Sequence, residues 1–289
     1  MKIAAIQLEL SKDITKNIEK CKKFIDVAME NLPDLICFPE LTFNHWFPDL
    51  IDNNNFSFAI TLYSDTIREF CNIAKKNKIV IILPFFEKDS ETEGLYYNSA
   101  TVIDTDGKIK GLYRKVHLPL IPNWEEKYYF TQGNLGFPVI DTSIGKIGLQ
   151  IGWDIFFPEV SRILTLNGAE IIISPTCSAF SSQPRWLKTI TANALSNTVF
   201  ICRINRVGQQ GELDFYGGSF CAAPNGSLIA EPAGKSEGIV LWNINLKDLL
   251  EIRRLFPFLK DRVEKEYLEI IGKSYNNLLR KLKENYDNS

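Results

Sequence analysis

The run Gly148-Leu149-Gln150-Ile151-Gly152-Trp153-Asp154-Ile155-Phe156-Phe157-Pro158-Glu159 constrains the fold more than any other part of the chain. Apolar residues from Ile147 to Ile151 suit a buried strand, and Phe156 to Leu166, with Pro158 early, suit a helix whose first turn tolerates proline. Residue 152 therefore stands at a strand-to-helix elbow, the kind of turn that exposes a nucleophile at the end of a buried strand. The residue is glycine, which has no side chain with which to attack.

The flanking sequence repeats the strand-and-helix alternation. Met1 to Leu8 reads as a first strand, Asn17 to Met29 as a helix with Ile18, Cys21, Phe24, Ile25 and Ala28 on one stripe, and Leu35 to Phe38 as a strand ending at Pro39-Glu40. A helix over Ser64 to Asn77 leads to a strand from Ile79 to Pro84. Strands at Tyr97 to Ile103 and Lys108 to Lys115 flank the turn Asp104-Thr105-Asp106-Gly107. The segment Pro119 to Pro138 is a long irregular loop of the functional kind. Beyond the elbow helix, which Asn167-Gly168 ends, come a strand at Ala169 to Ser174, a helix at Pro184 to Asn197 and a strand at Val199 to Asn205. Further strands are expected at Gly218 to Ala223, Leu228 to Glu231 and Gly238 to Ile244, with Asn225-Gly226 as a tight turn. From Lys247 the chain is mixed in charge, and Leu268, Ile271, Tyr275, Leu278 and Leu282 form a helical stripe that must cover something apolar, on its own domain or on a second subunit. The expected organisation is one α/β domain over 1–246 and a helical extension over 247–289.

Composition narrows the partner. A formal net charge of -2 gives no electrostatic case for nucleic acid or an anionic membrane, which leaves a small molecule or another protein. Cys21, Cys37, Cys71, Cys177, Cys202 and Cys221 contain no CxxC pair and sit mostly in apolar runs, as buried thiols of a reducing compartment do. His45 and His117 lack a second ligand at metal spacing, and neither a GxGxxG nor a GxxxxGK[ST] loop is present, so no metal and no nucleotide cofactor is expected. With no leader and no long apolar span, a cytoplasmic location is expected.

Glu40, Lys115 and Gly152 each fall at or just past the end of an expected strand, where open α/β sheets place ligands. Taken singly, Glu40 reads as a surface carboxylate and Lys115 as a solvated charge. The apolar neighbours Phe38, Pro39, Leu41 and Phe43 instead favour a raised pKa at Glu40, as a general base needs, and a cation at Lys115 would stabilise an oxyanion. Glu126 is the expected partner of Lys115.

Phe38-Pro39-Glu40-Leu41, Tyr113-Arg114-Lys115-Val116-His117-Leu118-Pro119 and the elbow, in that order, resemble the glutamate, lysine and cysteine motifs of the nitrilase superfamily of carbon-nitrogen hydrolases. Glu126-Lys127-Tyr128-Tyr129-Phe130, Asn205-Arg206-Val207-Gly208 and Phe215 to Phe220 followed by Pro224-Asn225-Gly226 extend the resemblance over essentially the whole chain, nearest to the N-carbamoylputrescine amidase branch. The resemblance implies a four-layer αββα sandwich, commonly a homodimer, and a cofactor-free Glu-Lys-Cys mechanism on an amide, ureido or nitrile carbon. By the same resemblance Glu40 is the base, Lys115 and the backbone N–H of Trp153 hold the oxyanion, Glu126 positions the lysine, and the nucleophilic cysteine belongs at Gly152. Phe47, Trp153, Cys177, Arg185 and Tyr216 are candidate pocket residues. Gly152 leaves three readings open: a cysteine replaced in an otherwise complete amidase, a natural relative that binds without cleaving, and a substitute nucleophile, for which Cys177 is the candidate.

Overall fold

Alternation along the strands builds a sandwich of two sheets. The structure, a computed structural model, describes residues 1–267. In β1 (Lys2–Gln7), Ile3 and Ala5 turn to one face and Ala4 and Ile6 to the other, and all four are fully buried. A strand buried on both faces needs a layer on each side. Ile3 and Ala5 join a central core with Leu35, Cys37, Val80 and Ile82 from their own sheet and Ile147, Leu149, Ile171, Ile173 and Cys202 from the second sheet. Ala4 and Ile6 pack with Cys21, Ile25, Ala28, Ile67, Phe70 and Ala74 of two outer helices. Complete burial of one such aliphatic side chain contributes about 1.5–3 kcal/mol.

The first sheet has the order β13-β1-β2-β3-β4-β5, where β2 is Leu35–Cys37, β3 Val80–Lys88, β4 Tyr96–Ile103, β5 Ile109–Arg114 and β13 Gly238–Asn243. Strands β1, β2 and β3 are parallel, and β4, β5 and β13 join antiparallel. Helices α1 (Ile14–Met29) and α2 (Asp65–Asn77) cover its outer face, capped by Asp13 and Ser64 respectively. The second sheet runs β12-β9-β8-β7-β6, with β6 Val139–Thr142, β7 Gly145–Leu149, β8 Ile171–Thr176, β9 Phe200–Asn205 and β12 Phe220–Ala222. Its outer face packs against α4 (Pro158–Leu166) and α5 (Gln183–Asn197) through Val160, Leu164, Trp186, Ile190 and Ala194. The αββα layering expected from the resemblance is the observed architecture.

Several local expectations are corrected. Between β7 and α4 the chain makes a turn of 3-10 helix, Gly152–Phe156, so the helix begins at Pro158 and not at Phe156. Leu228 to Glu231 forms no strand and contributes only an isolated bridge from Leu228 to Ala222, although the Gly226 turn before it is present. The hairpin β10 (Val207–Gln210) and β11 (Leu213–Tyr216), and strand β6, had no clear alternation to announce them. The loop 119–138 holds one helical turn, α3 (Glu126–Tyr129). Helix α6 (Lys247–Leu255) anchors through Leu249, which is buried in the central core. The stripe from Leu268 to Leu282 lies outside the described residues.

Candidate active site

Each of the charged candidate residues is delivered by a backbone constraint. Three residues beyond β2 the chain reaches Glu40, and Leu41 turns it sharply with φ 51°. The guanidinium of Arg206, buried just past β9, donates from Nη2 to the carbonyls of Glu40 at 2.7 Å and Leu41 at 3.3 Å, which fixes that turn. Lys115 follows β5 directly, and its N–H donates to Asn98 O at 2.8 Å, so it stays in register with β4. The loop after Lys115 doubles back so tightly that a β-carbon at Gly133 would lie 2.0 Å from the Arg114 carbonyl oxygen. Glycine is required there to close the loop that carries α3 and Glu126 over the lysine.

These residues meet in one buried cluster. Lys115 Nζ donates to Glu40 Oε1 at 2.7 Å and to Glu126 Oε1 and Oε2 at 2.8 and 2.6 Å, and Asn98 Nδ2 donates to Glu40 Oε1 at 2.8 Å. Glu40, Lys115 and Glu126 are each 1% exposed, so the charges are held by one another and not by water. Burial alone would lower the pKa of Lys115, but the carboxylates of Glu126 and Glu40 outweigh it and keep the ammonium charged. Burial pushes Glu126 up, to about 8, with Lys115 opposing and the like charge of Glu40 adding to the rise. Two carboxylates sharing one ammonium thus favour retention of a proton on Glu126 near neutral pH.

Gly152 faces this cluster. It adopts φ 49°, in the left-handed region, and a β-carbon built on it would fall 2.7 Å from Glu40 Oε2, 2.9 Å from Lys115 Nζ and 3.0 Å from Glu40 Oε1. The elbow is clamped from below by Asp154, which is fully buried. Its carboxylate accepts from Ile151 N at 2.9 Å, Tyr113 Oη at 2.7 Å and His117 N at 2.9 Å, and His117 Nδ1 lies 2.9 Å away. One side chain therefore ties the end of β7 to the segment on either side of Lys115.

A cavity of about 240 Å³ opens on the cluster, lined among others by Glu40, Lys115, Glu126, Gly152, Trp153, Cys177 and Arg185. Phe47 and Tyr216, also expected at the pocket, do not line it. Phe47 is buried in an aromatic cluster with Phe58, Phe86, Tyr129 and Phe130, and Tyr216 is buried with its hydroxyl accepting from Arg203 Nη2 at 2.8 Å. Cys177 follows β8, and burial pushes its thiol pKa well above the ordinary value, which is the reverse of activation. Sequence reasoning missed the walls formed by Trp124, Phe156 and Trp186, and it gave no role to Asn98 or Arg206. The signal for the latter pair was present: an asparagine inside the apolar strand Tyr96–Ile103 and a second arginine at the end of the apolar run Phe200–Asn205.

A carboxylate, an ammonium and a strand-to-helix elbow on the wall of one cavity are groups that could together serve hydrolysis at an acyl carbon. The carbon-nitrogen hydrolase family model matches residues 2–254, and the chain belongs to that family. It is 32% identical to N-carbamoylputrescine amidase of Solanum tuberosum over 276 residues, 90% of this chain and 91% of that protein. It is also 32% identical to a citrullinase of Francisella tularensis subsp. tularensis over 285 residues, 94% of this chain and 99% of the relative. The crystal structure of a carbon-nitrogen hydrolase from Helicobacter pylori G27 superposes with a TM-score of 0.90 at 32% identity, covering 94% of this chain and 98% of that one.

Proposed function

We propose that the cavity receives the planar carbonyl carbon of an amide or ureido compound, or the linear carbon of a nitrile, and that the chain, with Gly152 at the elbow, binds such a compound without forming a thioester. Glu40 is the base, Lys115 with the Trp153 backbone N–H receives the developing oxyanion, and Glu126 positions Lys115. One observation carries this reading: the β-carbon direction of Gly152 points between Glu40 Oε2 and Lys115 Nζ, at 2.7 and 2.9 Å. A thiol at that position would lie beside both its base and its oxyanion cation. Its proton would pass to Glu40 as the S–C bond forms, the C–N bond would break with that proton leaving on the amine or ammonia, and water deprotonated by Glu40 would release the acid from the thioester. Without the thiol, loss of the nucleophile from a cooperating set costs on the order of a millionfold in rate.

The same contact supports a second reading, that the chain is a natural binder. Both Glu40 oxygens lie within 3.0 Å of the missing β-carbon position, so the carboxylate has closed on the space a nucleophile needs. Substitution of the nucleophile role by Cys177 is disfavoured by its raised pKa. A homodimer is proposed to cover Ile163, Leu166, Leu187 and Leu195, which are exposed on α4 and α5. Calorimetric titration of the native chain with a panel of ureas, amides and nitriles tests the binding claim. Saturable heats that Lys115→Met abolishes support it, and no heat from any member of the panel overturns it.

A further inference from the structure

The charged side chains that line the cavity are unevenly placed. Glu40, Lys115 and Glu126 are buried at one end and neutralise one another through the contacts of Lys115 Nζ. Arg185 is exposed, lines the same cavity, and makes no hydrogen bond or ion pair with any described residue. It lies in the first turn of α5, a helix of 15 residues whose first turn holds no acidic residue and whose cap Ser182 turns its hydroxyl to Ala179 O and Trp186 Nε1 instead of to the helix backbone. The positive end of that helix and the guanidinium therefore act in the same direction. Ser178, Ser181 and Ser182 line the same cavity. Trp124, Trp153, Phe156 and Trp186 line the same cavity and suit the methylenes of a short chain.

We propose that Arg185 selects a ligand whose ureido or amide head is carried on a short chain ending in a carboxylate, and disfavours a chain ending in an ammonium. The inference rests on reading the cavity as an amide or ureido site and adds the charge of the tail. A carboxylate reaching Arg185 gains a charge-assisted hydrogen bond. An ammonium there meets a like charge. Proton retention on Glu126 leaves the buried end without a net negative charge to offset this preference.

The test is titration calorimetry of the full native chain with three probes of similar length: ureidobutanoate, aminopropylurea and the neutral butylurea. Ureidobutanoate is expected to bind about tenfold tighter than aminopropylurea. Arg185→Gln should bring ureidobutanoate level with butylurea, and Arg185→Glu should reverse the order of the charged pair. Equal or tighter binding of aminopropylurea by the native chain, or an unchanged ratio in Arg185→Glu, overturns the inference. If butylurea binds and the carboxylate adds nothing, the inference alone falls. If none of the probes binds, the reading of the cavity falls with it.

Discussion

Glu40 Oε2 lies 2.7 Å from the point at which a β-carbon on Gly152 would stand. The carboxylate can retreat only against the bonds that hold its other oxygen to Lys115 and Asn98 at 2.7 and 2.8 Å. Gly152→Ala should therefore lower stability by about 1–3 kcal/mol, from left-handed backbone strain and from crowding together. Denaturant unfolding at neutral pH checks this, and an alanine variant as stable as the parent would mean that the cluster yields freely.

Among the described residues, Lys115 is the one cation bonded to both Glu40 and Glu126. Lys115→Met should cost about 3–5 kcal/mol, since the Glu40 carboxylate is left buried without its counter-ion. Adding Glu40→Gln should recover part of that loss, which a double-mutant cycle in chemical denaturation measures. Additive losses would contradict the coupling.

Glu126 carries a pH signature. Its pKa rises from 4.5 in the unfolded reference to about 8 in the folded chain, chiefly through burial. The folded chain then holds a proton that the unfolded chain releases, so this contribution to stability is full below about pH 4.5 and is lost as pH rises through about 8. Glu126→Gln mimics the protonated acid at every pH. The melting temperature of the variant relative to the parent should climb between pH 5 and pH 9, and a flat difference would mean that Glu126 is ionised throughout.

Asp154 joins the elbow to the lysine segment. Asp154→Ala strands buried donors on Tyr113, His117 and Ile151 and should destabilise by about 3 kcal/mol, whereas Tyr113→Phe removes one hydrogen bond and should cost about 1 kcal/mol. In the Asp154→Ala background the Tyr113→Phe cost should largely vanish. Paired thermal melts of the four chains decide it, with an undiminished Tyr113→Phe effect as the contrary outcome.

The layers and the site were legible in the sequence to different degrees. Runs such as Ile79 to Pro84 and Ala169 to Ser174 announced buried parallel strands, and Glu40, Lys115 and Glu126 stood out as charges at their ends or in the loop between them. Burial on both faces leaves a strand with no alternation, so periodicity could not state which sheet each strand joined. The cavity walls were harder to read, because an aromatic residue has one sequence signature for packing and for lining. Phe47 and Tyr216 are core, whereas Trp124 and Trp186 face the cavity, and only the tertiary path of the 119–138 loop and the start of α5 separates the two fates. Asp154 looked like part of a turn until Tyr113 and His117 came to it from β5 and the residues after it.

The central claim is that this fold positions base and oxyanion cation around a single absent thiol. Gly152→Cys, incubated with ureido, amide and nitrile compounds, should release ammonia or amine and show an acyl-enzyme mass on residue 152 in quenched samples, while the parent chain and Cys177→Ala give the same absence of turnover. Release by the unaltered chain at the rate of the cysteine variant, or an adduct on Cys177 in place of residue 152, would contradict the account.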